Sequence, residues 1–214
     1  MNSGTRIEFV EGSAGAIEVA VDHPDATRAA ALRGLAVVAH PHPLFGGTKD
    51  NKVVQTLARA LVSLGYAVVR PNFRGVGASA GVHDEGRGEL DDLLKVVDVY
   101  RARLAPASLV LAGFSFGSFV QSHVAAKLAE QGIALDRLIL VGTAASRWQV
   151  APVPADTLVI HGEQDDTVAL SAVLDWARPQ ELPVVVIPGA DHFFHRKLPI
   201  IKRLVIDALA PRAA

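Results

Sequence analysis

The sequence predicts an α/β protein. Its expected core is a mostly parallel, twisted sheet of about seven or eight strands with helices on both faces. Three observations point there. Short continuous apolar runs recur along the chain, as in strands buried on both faces. Between them lie segments with apolar residues at helical spacing. The first two strand-like segments instead alternate apolar and polar residues, which places them at an edge, where one can run antiparallel.

The elements follow in order. Thr5–Val10 and Ala16–Val21 alternate around Gly12 and Gly15 and predict a hairpin. A polar, Ala-rich connection runs from Asp22 to Gly34. Leu35–Ala39 is a buried strand. Asn51–Leu64 carries apolar residues at 53, 54, 57, 58, 61 and 64, a helical stripe that Gly65 ends. Tyr66–Arg70 is a strand, and Gly86–Leu104 a helix whose inner face runs through Leu90, Leu93, Leu94 and Val97. Leu109–Ala112, Leu138–Val141, Thr157–Ile160 and Val184–Ile187 are further strands. Ser115–Gln131, Leu170–Ala177 and Leu198–Leu209 are the remaining helices. No repeat or Gly/Ser linker divides the 214 residues, so a single domain is expected.

Composition excludes several function classes. The chain has no cysteine, hence no disulfide, thiolate metal site or cysteine nucleophile. The net charge is −1 and no basic block occurs, which argues against nucleic acid as a partner. No apolar run is long enough for a membrane span, and the first residues lack a signal-peptide pattern. The expectation is a cytoplasmic protein without nucleic-acid or membrane partners. Oligomeric state is not encoded in these patterns.

In sheets of this kind the chemistry sits beyond the carboxyl ends of the strands. The segment after Leu109–Ala112 reads Gly113-Phe114-Ser115-Phe116-Gly117, a G-x-S-x-G at a strand-to-helix junction. Such a turn lifts a serine hydroxyl above the sheet, and the glycines permit close backbone packing. A serine needs a base, and the base an orienting acid. Both fall in order on later strand ends: His161-Gly-Glu-Gln-Asp165-Asp166, then Ala190-Asp191-His192. Asp165 and Asp166 compete for the acid, with Asp166 also suited to cap the next helix. His192, nearer its strand end than His195, is favoured as the base.

These pieces, together with His40-Pro-His-Pro43, Gly46-Gly47 and Asn72-Phe-Arg-Gly75, resemble the α/β-hydrolase superfamily. The similarity is closest to its small, lidless serine-hydrolase branch, related to dienelactone-hydrolase-like proteins. It covers nearly the whole chain. The resemblance implies a triad with Ser115 as nucleophile, His192 as base and Asp165 as acid. Dienelactone hydrolase itself uses cysteine, which this chain lacks, so ester or related acyl hydrolysis is implied rather than that enzyme's reaction.

Acyl transfer also needs donors for the oxyanion. Phe116 N–H, next after the nucleophile, is one. The second should come from the loop after Ala39. Pro41 and Pro43 have no N–H, which leaves His42 and Leu44, and the resemblance favours His42. Leu44, Phe114 and Trp148 are expected to border the pocket, and His40 to bond under its loop. Two other patterns lack the context their chemistry needs. Gly75-Val-Gly-Ala-Ser-Ala80 matches a relaxed dinucleotide pattern but opens no helix directly; it reads as a loop beside the site, with Arg74 pairing a nearby acid. A metal set of His40, His42, His192 and Asp165 would leave Ser115 unexplained. No cofactor or metal is expected.

Only 15 residues separate Val141 from Thr157, too few for a cap domain. The expected site is therefore open, and the expected partner a small-molecule acyl substrate, an ester or thioester of a small or short-chain acyl group. A peptidase or acyltransferase on the same triad fits these residues too, as does a non-catalytic binding protein that retains the fold.

Overall fold

The computed structural model describes residues 4–25 and 32–210. Part of the connection expected from Asp22 to Gly34 lies outside the described residues. The first hairpin pairs β1 (Arg6–Gly12) with β2 (Gly15–Asp22), each longer than its alternating segment. Then follow β3 (Gly34–Ala39), α1 (Lys52–Ser63), β4 (Tyr66–Pro71), α2 (Arg87–Leu104), β5 (Leu109–Phe114) and α3 (Phe116–Glu130). The chain continues through β6 (Arg137–Val141), β7 (Leu158–Gly162), α4 (Leu170–Ala177), β8 (Val184–Ile187) and α5 (Leu198–Leu209).

One eight-stranded sheet results, in the order β1-β2-β4-β3-β5-β6-β7-β8. Pairing is antiparallel from β1 to β2 and from β2 to β4, and parallel elsewhere. The parallel strands are continuous apolar runs because both of their faces are covered. Residue parity decides which side each side chain joins. Leu109 and Leu111 of β5 pack with α2 and α3, whereas Val110, Ala112 and Phe114 pack with α1 and α5. Val159 of β7 packs with α4. No α-helix interrupts residues 142–157 between β6 and β7, so no cap domain is inserted there.

The helix ends have local causes. Asn51 caps α1, its Oδ1 accepting Val53 N–H at 2.9 Å. Gly65 follows α1 with φ +92°, which glycine adopts without strain. The inner face of α2 buries Leu93 and Val97, as its spacing predicts, together with Val96 and Tyr100, while Leu90 and Leu94 are half-buried against the same core; two carboxylates, Glu89 and Asp92, are buried there too. Arg74 takes Asp92 through Nε at 2.7 Å, the acidic pairing expected of it.

The Gly75–Ala80 loop also has a structural explanation. Glu18 Oε2 accepts Ala78 N–H at 2.8 Å and Asn72 Nδ2 at 2.9 Å. Gly77 (φ +58°) has no room for a Cβ against those two side chains. The glycines let the backbone close on an internal carboxylate. Lys49 Nζ, 2.9 Å from Glu18 Oε1, balances its charge.

Candidate active site

Ser115 lies between β5 and α3 with φ 55° and ψ −121°, a conformation that costs a non-glycine residue about 1–3 kcal/mol. Packing and hydrogen bonds hold it there. Ser115 N–H donates to Val141 O at 2.9 Å, and Ser118 Oγ donates to Ser115 O at 2.6 Å. A Cβ at Gly113 would collide with the Gly117 carbonyl. One at Gly117 would lie 2.5 Å from both Ala39 O and His40 O. The two glycines thus bring the elbow into backbone contact with the end of β3.

Ser115 Oγ lies 3.0 Å from His192 Nε2. His192 Nδ1 lies 2.7 Å from Asp165 Oδ2. Oδ1 of Asp165 accepts Thr167 N–H at 3.0 Å and Val168 N–H at 2.7 Å. Burial alone would raise the Asp165 pKa, but the bonds from His192 and Val168 outweigh it and hold the carboxyl below its ordinary value. His161, on β7, adds a further polar contact: its Nε2 is 2.9 Å from Val168 O and 3.4 Å from Asp165 Oδ2.

The chain neighbours of these residues are placed differently. Asp166 is exposed and, among the described residues, accepts only the Thr167 hydroxyl, at 3.3 Å. His195 is exposed and pairs with Asp191 at 2.6 Å. The structure thus brings Ser115, His192 and Asp165 together and leaves Asp166 and His195 out. The two later loops are tied to each other, with Gln164 N–H on Ala190 O at 2.9 Å and Gly189 N–H on Glu163 Oε2 at 2.8 Å. Asp165 and His192 are thereby held in one frame.

Phe116 opens α3, so its N–H has no intrahelical acceptor. Leu44 N–H donates to His42 Nδ1 at 3.2 Å, which removes Leu44 from the donors of the loop after β3. Among the described residues, nothing accepts the N–H of His42. His40 is fully buried, with Nδ1 on Pro41 O at 2.6 Å and Nε2 accepting Phe73 N–H at 2.9 Å. Both ring nitrogens are committed to the protein, so His40 has none to offer a metal. Burial lowers its pKa to about 4.

Of the residues expected to border the pocket, Leu44 is 70% exposed and Trp148 is half-buried, its ring centre 5.0 Å from Phe116 and 5.9 Å from His42. Phe114 corrects the expectation. It has no exposed surface, and its ring packs 5.1 Å from His192, so it supports the imidazole from the core instead of lining an opening. Sequence reasoning missed His83 and Glu89. His83 sits against His42 and Phe116, with ring centres 4.6 and 5.3 Å away. Glu89, three residues after Gly86 at a helix start, carried the available signal, a capping acid.

This fold and elbow define an α/β hydrolase. The alpha/beta hydrolase fold family model matches residues 42–156, and the chain belongs to that family. It is 39% identical to an α/β serine hydrolase without lid from Xanthomonas campestris, with a TM-score of 0.90 over 100% of this chain and 98% of that one. It is 31% identical over 190 residues to an uncharacterized protein of Rickettsia prowazekii, covering 82% of this chain and 78% of that protein. A shorter match, 34% over 106 residues, is to the lysophosphatidylserine lipase ABHD12 of Danio rerio, covering 48% of this chain and 28% of that relative. The chain thus aligns with little more than a quarter of the lipase's length.

Proposed function

We propose that this hydrolase cleaves esters or thioesters of small or short-chain acyl groups through an acyl-enzyme on Ser115. The observation that carries the proposal is the unbroken chain from Ser115 Oγ to His192 at 3.0 Å and from His192 to Asp165 at 2.7 Å, set on a strained elbow. In this reading Ser115 Oγ attacks the carbonyl carbon while His192 Nε2 takes its proton. Asp165 orients the imidazole and stabilises the imidazolium. The N–H groups of Phe116 and His42 hold the oxyanion. His192 then protonates the leaving group, and water, deprotonated by the same imidazole, releases the acid. The lack of a cap domain supports a small acyl group, because no element between β6 and β7 encloses a long chain.

Fluorophosphonate labelling tests the nucleophile. The wild-type protein is expected to label and Ser115→Ala not to; equal labelling of both overturns the assignment. The acyl preference is tested with p-nitrophenyl esters of increasing length. Activity is expected to be highest at two to four carbons, and a flat profile out to sixteen carbons contradicts the small-acyl reading.

A further inference from the structure

A second histidine–carboxylate pair lies beside the site and has no part in the steps above. Glu89, in the first turn of α2, has no exposed surface. Its carboxylate accepts Asp84 N–H at 3.0 Å and Gly86 N–H at 2.9 Å, and His83 Nδ1 lies 2.8 Å from Oε1. An ionised carboxylate only accepts, so the proton between the two groups belongs to His83 Nδ1. In the neutral ring this leaves a lone pair on Nε2. His42 is fixed in the opposite sense. Its Nδ1 accepts Leu44 N–H at 3.2 Å, so its proton is on Nε2. Burial keeps the His42 pKa below its usual value, against the nearby Glu89 carboxylate that raises it, and so favours the neutral ring.

The two ring centres are 4.6 Å apart. Among the described residues no group hydrogen-bonds either Nε2, and neither atom is sealed from solvent. With both rings neutral, the wall next to the oxyanion loop offers one Nε2–H donor and one Nε2 acceptor, on rings whose centres are 4.6 Å apart. A hydroxyl satisfies both, accepting from His42 and donating to His83. A carboxylate would meet the His83 lone pair, and an ammonium would meet the His42 N–H. The surroundings are aromatic: Phe45 lies 4.7 Å from His42, Phe116 4.9 Å and Trp148 5.9 Å.

We infer that His42 and His83 form a hydrogen-bonding subsite for a hydroxyl carried on a compact, single-ring aryl acyl group, which falls within the small-acyl class proposed above because it needs no enclosure for a long chain. The inference rests on the proposed serine-hydrolase reading. It assigns the acyl side because the leaving group must lie against His192 Nε2, which protonates it, while the histidine pair stands at the oxyanion loop. His83 is thus a specificity-determining residue, oriented by Glu89.

The test uses p-nitrophenyl esters of phenylacetic, 3-hydroxyphenylacetic and 4-hydroxyphenylacetic acids, compared by kcat/KM. The wild-type enzyme is expected to favour one hydroxylated ester about ten-fold over the parent, the scale of one well-formed hydrogen bond. Two variants separate recognition from folding. His83→Phe keeps a ring and removes both nitrogens. His83→Asn places an amide N–H near the Nδ1 position, toward Glu89, and removes Nε2. Both are expected to bring the ratio to about one, with far-UV circular dichroism confirming the fold. A wild-type ratio near one, with Ser115-dependent hydrolysis of the parent ester, overturns the subsite and leaves the proposed function standing. So does a preference retained in either variant. Absence of both hydrolysis and fluorophosphonate labelling overturns the two together.

Discussion

Asp165 and Asp166 are adjacent in the chain but have opposite surroundings. Asp165 is buried and receives two backbone N–H groups and the His192 imidazole, while Asp166 faces solvent. Asp165→Asn is expected to lower kcat by about 10⁴-fold by upsetting the His192 tautomer. Asp166→Asn should stay within about two-fold. Steady-state assays on a p-nitrophenyl ester decide, and comparable losses in the two variants refute the assignment. His40 gives a separate prediction. Its folded pKa of about 4 lies below the ordinary 6.5, so below pH 6.5 the unfolded chain binds the extra proton. Its contribution therefore destabilises the fold progressively as pH falls from 6.5 to about 4 and then levels off, at a total of about 3 kcal/mol. His161, also held low by burial, adds to that slope, whereas Asp165, with its carboxyl held below 3.8, loses its stabilising contribution only at lower pH. Urea unfolding from pH 7 to 4 should therefore show a shallower pH slope for His40→Gln than for wild type. An unchanged slope removes His40 from this role. At this scale Ser115 and His192 were legible in the sequence, because motif and chain order name them. The choice of Asp165 over Asp166 from the residues alone was not, since it depends on which carboxylate the loop turns inward.

Among the elements, the elbow joins β5, α3 and the end of β3 through backbone contact at Gly117. Gly117→Ala is expected to cost more than about 3 kcal/mol, because the added methyl meets two carbonyl oxygens fixed in the sheet and its loop. Calorimetry should show a fall in Tm of roughly 6 °C or more for a chain of this size. A change under 2 °C would mean that β3 and α3 can part without loss. The strands and helices were largely legible from periodicity, with two instructive exceptions. The predicted end of β5 at Ala112 hid the position of Phe114. Once the strand runs to Phe114, two-residue alternation sends that ring into the core with Val110 and Ala112. The inward face of α2 hid Glu89 and Asp92, because buried carboxylates break an apolar stripe and only their partners, His83 and Arg74, explain them.

For the molecule as a whole, the site is assembled from loops after β3, β5, β7 and β8, all at the carboxyl ends of parallel strands, as the topology requires. The general layout and the missing cap were readable from strand count and loop length. Of the aromatic and histidine wall, His42 and Trp148 were expected near the site, but His83 was not, because it comes from a separate loop whose approach no local pattern records. The position of β8 has a consequence for how the protein fails. This four-residue strand is one of the two edges of the sheet and, among the described residues, is paired only with β7, with Val184, Val185 and Val186 half-buried. Yet its loop carries His192, while Ser115 directly follows the central β5. Partial opening at this edge would detach His192, the proposed base, from Ser115, the proposed nucleophile, while the latter stays in place. On titration with urea, ester hydrolysis should be lost before far-UV ellipticity, and backbone amides of β8 should exchange with deuterium faster than those of β5. Coincident transitions with equal protection would show instead that the edge and the centre unfold as one cooperative unit.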